Sequence, residues 1–330
     1  MTATAPVPVV AQAGNPSPEA ASGPTISREG STTDGRQGSR GTAVLLVLAS
    51  CVSLQTGAAL AMQLFPVLGS WGTTSVRLLV AAVVLALIVR PKVRGWTGPQ
   101  WSATVCFGVA LALMNGFFYA ALSRIPLGPA VSIEFLGPLV LAAVLSLRPR
   151  DLVWVGLALV GVALFGLESA LGTGGLDPVG VVLVLIAGAF WAVYILTSAR
   201  VGQLIPGPAG LAVALLVAAV LLLPFGVNQF PKIVGDPHLL VLALGTGVLA
   251  SLIPYALELS ALRTLPRPVF GVLLSLEPAV ATLAGWLLLG QTASAWKLAA
   301  VALVMIASIG STLTARQKRT TPELAPSSAA

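Results

Sequence analysis

The chain has 330 residues and very little charge: Asp, Glu, Lys and Arg together make 9% of it, whereas soluble globular proteins carry about 25%. Hydrophobic residues make 56%. This balance excludes an ordinary water-exposed surface and points to lipid as the solvent. Histidine occurs once, at His238, so zinc chemistry and a histidine-based triad have almost no material. The two cysteines, Cys51 and Cys106, lie inside apolar runs and offer neither a disulfide framework nor a metal site. No glycine-rich nucleotide loop is present, which argues against direct use of ATP. With no acidic cluster either, a membrane-embedded enzyme has little to work with, and no cofactor is expected. The net charge of +7 is spread over short loops rather than along one face, so nucleic acid is not the expected partner.

What the chain does have is long apolar runs. A membrane-crossing helix needs about 20 mostly apolar residues. Ten candidates stand at 42–62, 71–89, 102–122, 127–147, 152–168, 178–198, 208–227, 239–257, 268–289 and 296–315. Turn formers mark the breaks, among them Pro66, Pro91, Gly98-Pro99, Pro126, Gly172–Gly175, Pro206, Pro231 and Pro266. The fourth and fifth runs are parted only by Arg148–Asp151, which predicts a tight hairpin. Residues 1–41 are rich in Pro, Ala, Ser, Thr and Gly and read as a disordered tail without a signal peptide. Residues 316–330 read as a second, shorter tail.

Lys and Arg fall unevenly on alternate sides of these runs. One side collects Arg28, Arg36, Arg40, Arg90, Lys92, Arg94, Arg148, Arg150, Arg200, Arg263, Arg267, Arg316, Lys318 and Arg319. The other has only Arg124, Lys232 and Lys297. Positive side chains stay cytoplasmic, so both termini are expected inside a multi-pass protein of the cytoplasmic membrane. Trp71, Trp96, Trp101 and Trp296 fall near span ends, as interfacial anchors do.

Two glutamates interrupt the apolar runs. Glu134 lies in the fourth, four residues before Pro138, and Glu277 lies in the ninth, directly before Pro278. An ionisable group in a span is costly and normally faces a bundle interior or a water-filled cavity. Proline lacks an N–H, so Pro138 leaves the carbonyl of Glu134 without its helical partner, and Pro278 does the same to Leu274. The two halves also echo each other: Glu134 to Gly166 and Glu277 to Gly310 both read as a Glu–Pro span, a polar turn and a second apolar span. The expected architecture is therefore all-α, ten transmembrane helices in two five-helix repeats, 42–168 and 178–315. Five is odd, so the second repeat enters from the opposite side; transporters built this way carry their site near the midplane.

The candidate site residues are Glu134, Glu277, Arg77, Gln55, Asn115, Tyr119, Trp191, Tyr194 and Tyr255. The glutamates would bind an amine or carry a proton; the structural alternative is a pair of buried carboxylates bracing helices. Arg77 has three readings: it snorkels to the interface, pairs with Glu134, or clamps a substrate carboxylate. The remaining residues would line a small polar cavity with aromatic walls, or act as glue between helices.

The stretches Ile253-Pro-Tyr-Ala-Leu-Glu258, Leu265-Pro-Arg-Pro-Val-Phe-Gly271 and Ser275-Leu-Glu-Pro-Ala279 resemble the drug/metabolite transporter superfamily of ten-helix EamA type. Within it the resemblance points to the threonine and homoserine exporters. Glu134-Phe-Leu-Gly-Pro138, Asp151-Leu-Val-Trp154, Trp191-Ala-Val-Tyr-Ile195 and Gly310-Ser-Thr-Leu-Thr314 agree with it, and it covers residues 43 to 315. Two departures stand out: Gln291 where the family commonly has a glutamate, and a long amino-terminal tail. The resemblance implies a central cavity and export of small metabolites. Hydrophilic amino acids are the leading substrates, and amphiphilic cations, drugs or purines are the alternative. Partners on this reading are the substrate, the lipid bilayer and a coupling proton, with the protein a monomer or a homodimer.

Overall fold

The computed structural model describes residues 32–146, 151–170, 175–262 and 264–317. The chain divides into Met1–Gly38, of which only the helical backbone of 32–38 is described, and Ser39–Ala330, to which the architecture below belongs. Among the described residues every regular element is a helix.

Helix α1 runs Thr32–Val89, starting inside the segment expected to be a tail. It is not straight. Gly69 has φ 68° and ψ 169°, a conformation open to glycine alone. Gly57, before it, packs on Ala250; Val80, after it, packs on Gly247. In a straight helix residues 57 and 80 would stand about 35 Å apart, yet they touch residues one helical turn apart. The two arms of α1 therefore fold back on each other at Gly69. The expected break at Pro66 is not where the chain turns, because Pro66 stays inside the helix.

Helix α2 spans Gly98–Leu122, with Thr97 donating its backbone N–H to Gln100 Oε1 at 2.9 Å. The fourth apolar run is broken: α3 covers Leu127–Glu134 and α4 covers Leu136–Ser146, with Phe135 between them. Helix α5 is Asp151–Ala170, α6 is Pro178–Leu204 and α7 is Ala209–Gly226. Most of the expected hairpin at Arg148–Asp151 lies outside the described residues. After a single 3₁₀ turn come α8, Phe230–Gly235, and α9, Pro237–Gly247, which Asp236 caps through the N–H of His238 at 2.8 Å.

A π-turn, Val248–Leu252, joins α9 to α10, Ile253–Leu262. The helix thus continues past residue 257, where the apolar run was expected to end. The ninth run is broken as the fourth is: α11 is Arg267–Leu274 and α12 is Glu277–Leu289. Helix α13, Ala295–Gln317, closes the chain's described part.

Eight of these helical stretches are long and apolar enough to cross a membrane, the folded-back Gly41–Val89 counting as one. Asp151–Phe165 is a shorter apolar helix. Their outer faces carry large apolar side chains in the open, such as Val220, Val241 and Leu287, each more than 60% exposed. A surface this apolar suits hydrocarbon rather than water. The main core joins α3, α4, α5, α6, α12 and α13 around Leu127, Ile133, Phe165, Val184, Ala281 and Val304. The two broken helices meet in it, with Gly128 of α3 seated against Thr282 of α12.

Candidate functional site

Both helix breaks open onto one cavity. Glu134 ends α3 and Glu277 begins α12, each within two residues of its break. The broken segments cannot complete their hydrogen-bond ladders, because Pro138 and Pro278 supply no N–H. Their carboxylates instead face a space of about 260 Å³. Gln55, Arg77, Asn115, Tyr119, Trp191 and Tyr194 line the same space. Sequence positions from 55 to 277 are thereby gathered around one void. Tyr255 lies on α10, and its side chain is outside the described residues.

Arg77 is only 7% exposed, so it does not snorkel. No ion pair joins it to Glu134 among the described residues. Its guanidinium donates to the carbonyl of Ala250 at 3.3 Å and to Ser251 Oγ at 3.4 Å. Pro254, four residues on, has no N–H to offer that carbonyl. The guanidinium also lies 4.9 Å from the centre of the Tyr119 ring. The cation is thus held by neutral groups and keeps its charge available to the cavity.

The walls are aromatic and braced. Trp191 meets Phe135 edge-on at 5.0 Å, and Tyr194 packs against Phe107 at 5.1 Å. Asn115 donates to the Leu111 carbonyl at 2.8 Å. Tyr119 Oη is buried beside the Arg77 guanidinium, and its residue lines the cavity.

One ionisable cavity residue was not among the candidate site residues. Glu258 also lines it, and it accepts a hydrogen bond from Ser50 Oγ at 2.7 Å. The signal was present, an acid one residue beyond an expected span end, but the π-turn that carries the helix past it was not legible. Three carboxylates and one guanidinium therefore face this space. All four ionised would leave it two negative charges in excess, which a low-dielectric interior does not tolerate uncompensated. The arrangement calls for a cation, either a substrate ammonium or a proton.

A roomier cleft of about 580 Å³ lies between α12 and α13, lined by Leu283, Trp286, Leu298, Val301 and Met305. No charged side chain lines it, and Trp286 is 58% exposed, so it belongs to the apolar outer face.

Gln291 has a structural role. Its Oε1 accepts the N–H of Leu127 at 3.0 Å and so satisfies the first turn of α3. Away from the cavity, Arg124 and Asp177 form an ion pair at 2.8 Å. Hydrogen bonds from Arg124 and from the Val179 N–H hold the Asp177 carboxyl below the usual carboxylate range.

Residues 178–313 match the EamA-like transporter family. The threonine/homoserine exporter RhtA of Salmonella typhimurium is 39% identical over 275 residues, covering 83% of this chain and 92% of its own. RhtA of Escherichia coli K12 is 38% identical over 281 residues, 85% of this chain and 95% of its own. The uncharacterized transporter YwfM of Bacillus subtilis is 27% identical over 73% of this chain and 82% of its own. A crystal structure at 20% identity superposes with a TM-score of 0.56, covering 85% of this chain and 99% of that one, a likeness of fold. With a cavity of buried ionisable groups set among apolar membrane helices, and relatives of this kind over most of its length, the chain belongs to the EamA-like transporter family and is a multi-pass membrane transporter, not an enzyme.

Proposed function

We propose that the protein exports small hydrophilic amino acids, threonine and homoserine foremost, by alternating access between two five-helix repeats. The observation that carries this reading is the cavity itself: it sets one fixed guanidinium and several carboxylates around a small void. An amino acid zwitterion needs both signs of charge. The volume, about 260 Å³, falls below the roughly 300–1,000 Å³ of sites for drug-sized ligands. The similarity to the threonine/homoserine exporters supports the same substrate class.

The reading takes ten spans. The two arms of α1 and the short helix Asp151–Phe165 add to the apolar stretches to make that number. Repeats at 42–168 and 178–315 are supported by the matching breaks beside Glu134 and Glu277 and by the packing of α3 on α12. The family match at 178–313 has the extent of the second repeat. The Lys and Arg bias supports cytoplasmic termini. Glu277, near mid-bilayer, is the carboxylate that exchanges a proton for the substrate ammonium, and Arg77 receives the substrate carboxylate.

The deciding measurement is efflux of labelled threonine from loaded vesicles. Glu277→Gln abolishes it while the protein still reaches the membrane; unchanged efflux sinks the reading. A second reading, export of an amphiphilic cation, draws on the excess of carboxylates over cations. Arg77→Ala separates the two, since a cation exporter tolerates it and an amino acid exporter loses affinity.

A further inference from the structure

The polar groups of the cavity are strung out in order. Glu134, Arg77, Glu277 and Glu258 all line the cavity, each from a different helical segment. Arg77 is tied to residues 250 and 251, and Glu258 follows two helical turns later on the same continuous helix. Eight residues of helix span about 12 Å. The residues that hold Arg77 and the residue that carries Glu258 thus stand at different heights along that helix. Glu258 serves a different position along the path.

That position has a defined neighbour. Ser50 is fully buried on the first arm of α1 and donates to Glu258. On the same face Ser53 Oγ donates to the Leu249 carbonyl at 2.8 Å, and Gly57 packs on Ala250. The arm thus follows the α9–α10 helix along its length, with the Glu258 carboxylate at one end and Arg77 at the other. The cavity between them keeps a buried hydroxyl, Tyr119 Oη, beside the guanidinium. Glu258 stands four residues before the end of α10, about 6 Å from the end that the charge bias assigns to the cytoplasm.

We propose that Glu258 is a loading residue: it forms an ammonium-binding subsite at the cytoplasmic end of the cavity, one step before the position at Arg77 and Glu134. The proposal rests on the transport reading and orientation given above. Substrate arriving from the cytoplasm meets a carboxylate whose hydrogen bond from Ser50 is exchanged for one from the ammonium, and then passes to Glu277 and Arg77. Substrate arriving from outside meets Arg77 and Glu134 first.

The test is one-sided kinetics of labelled threonine, with inside-out vesicles reading the cytoplasmic face and right-side-out vesicles the outer face. Glu258→Gln raises the cytoplasmic KM about tenfold, the worth of one charge-assisted contact, and leaves the outer KM within about twofold. An equal change on both faces, no change on either, or a change on the outer face alone overturns the proposal. Glu258→Asp keeps the charge but withdraws it by one methylene, and raises the cytoplasmic KM severalfold with the same one-sidedness. It keeps the question decidable if the glutamine variant does not assemble. Wild-type vesicles that carry no threonine overturn the substrate reading alone. Thermal shift with ethylammonium chloride then decides the subsite: stabilisation of wild type but not of Glu258→Gln supports it, and any other result overturns it.

Discussion

Gly137 of α4 lies so close to Gly188 of α6 that a Cβ on Gly137 would overlap the Gly188 carbonyl. The backbone just after the first helix break is thereby pressed onto the neighbouring helix, which fixes where Glu134 points. Gly137→Ala forces these helices apart and costs about 1–3 kcal/mol or more. Gly156 of α5 has open space around its Cβ position, so Gly156→Ala is neutral or gains up to about 1 kcal/mol. Thermal unfolding of the two purified variants in detergent checks the contrast; equal melting temperatures would refute it.

Gln291 is predicted to be a cap whose charge is immaterial. Gln291→Ala removes the acceptor for the Leu127 N–H and costs about 1 kcal/mol. Gln291→Glu keeps an acceptor in the same place and holds stability near that of wild type. A glutamate variant as unstable as the alanine variant would show that the carboxamide, not the acceptor, matters.

Asp177 ties the loop before α6 to Arg124 and caps that helix through Val179. Its carboxyl is held below the usual carboxylate range, chiefly by the hydrogen bond from Arg124. A depressed folded pKa gives stability that is present above the unfolded value, about 3.9, and is lost as pH falls through the folded one. Asp177→Asn therefore melts below wild type at pH 7. The gap begins to close as the pH falls below about 4 and is gone once the pH has passed through the lower folded value, where the wild-type carboxyl also becomes neutral. A gap that stays constant from pH 7 to pH 3 would exclude the ionised form as its source. The exposed pair also weakens with salt, so the gap at pH 7 narrows at high ionic strength.

Glu134 and Glu277 were legible because a carboxylate in an apolar run has few cheap explanations, and their prolines marked the breaks. Arg77 was legible as a residue but not as a role. Its surroundings depend on the Ala250 carbonyl and Ser251, far along the chain, and no local pattern carries that. Glu258 was passed over because a hydropathy pattern ends at the first polar residue, whereas the helix ends at Leu262. The fold-back of α1 was expected as two spans, but Pro66 was the signal chosen. A proline is tolerated inside a helix that packing supports, while the dihedral angles of Gly69 leave no trace in composition. The matched Glu–Pro positions are what the proposed repeat was read from; the contact of α3 with α12 belongs to tertiary packing.

Arg77 hangs on a main-chain oxygen instead of a carboxylate, and this bears on speed as much as on affinity. An arginine locked to an acid would have to surrender that partner whenever a substrate carboxylate arrived and regain it on departure, adding a barrier to every cycle. Tied to Ala250 and laid against the Tyr119 ring, it has no counter-ion to exchange. On the proposed transport cycle each arriving carboxylate meets a positive charge already in position, and each departing one leaves it unchanged. Position 254 bears on that hold: Pro254 lines the cavity and brings no backbone N–H to the Ala250 oxygen, so any other residue there adds a donor beside the arginine's anchor.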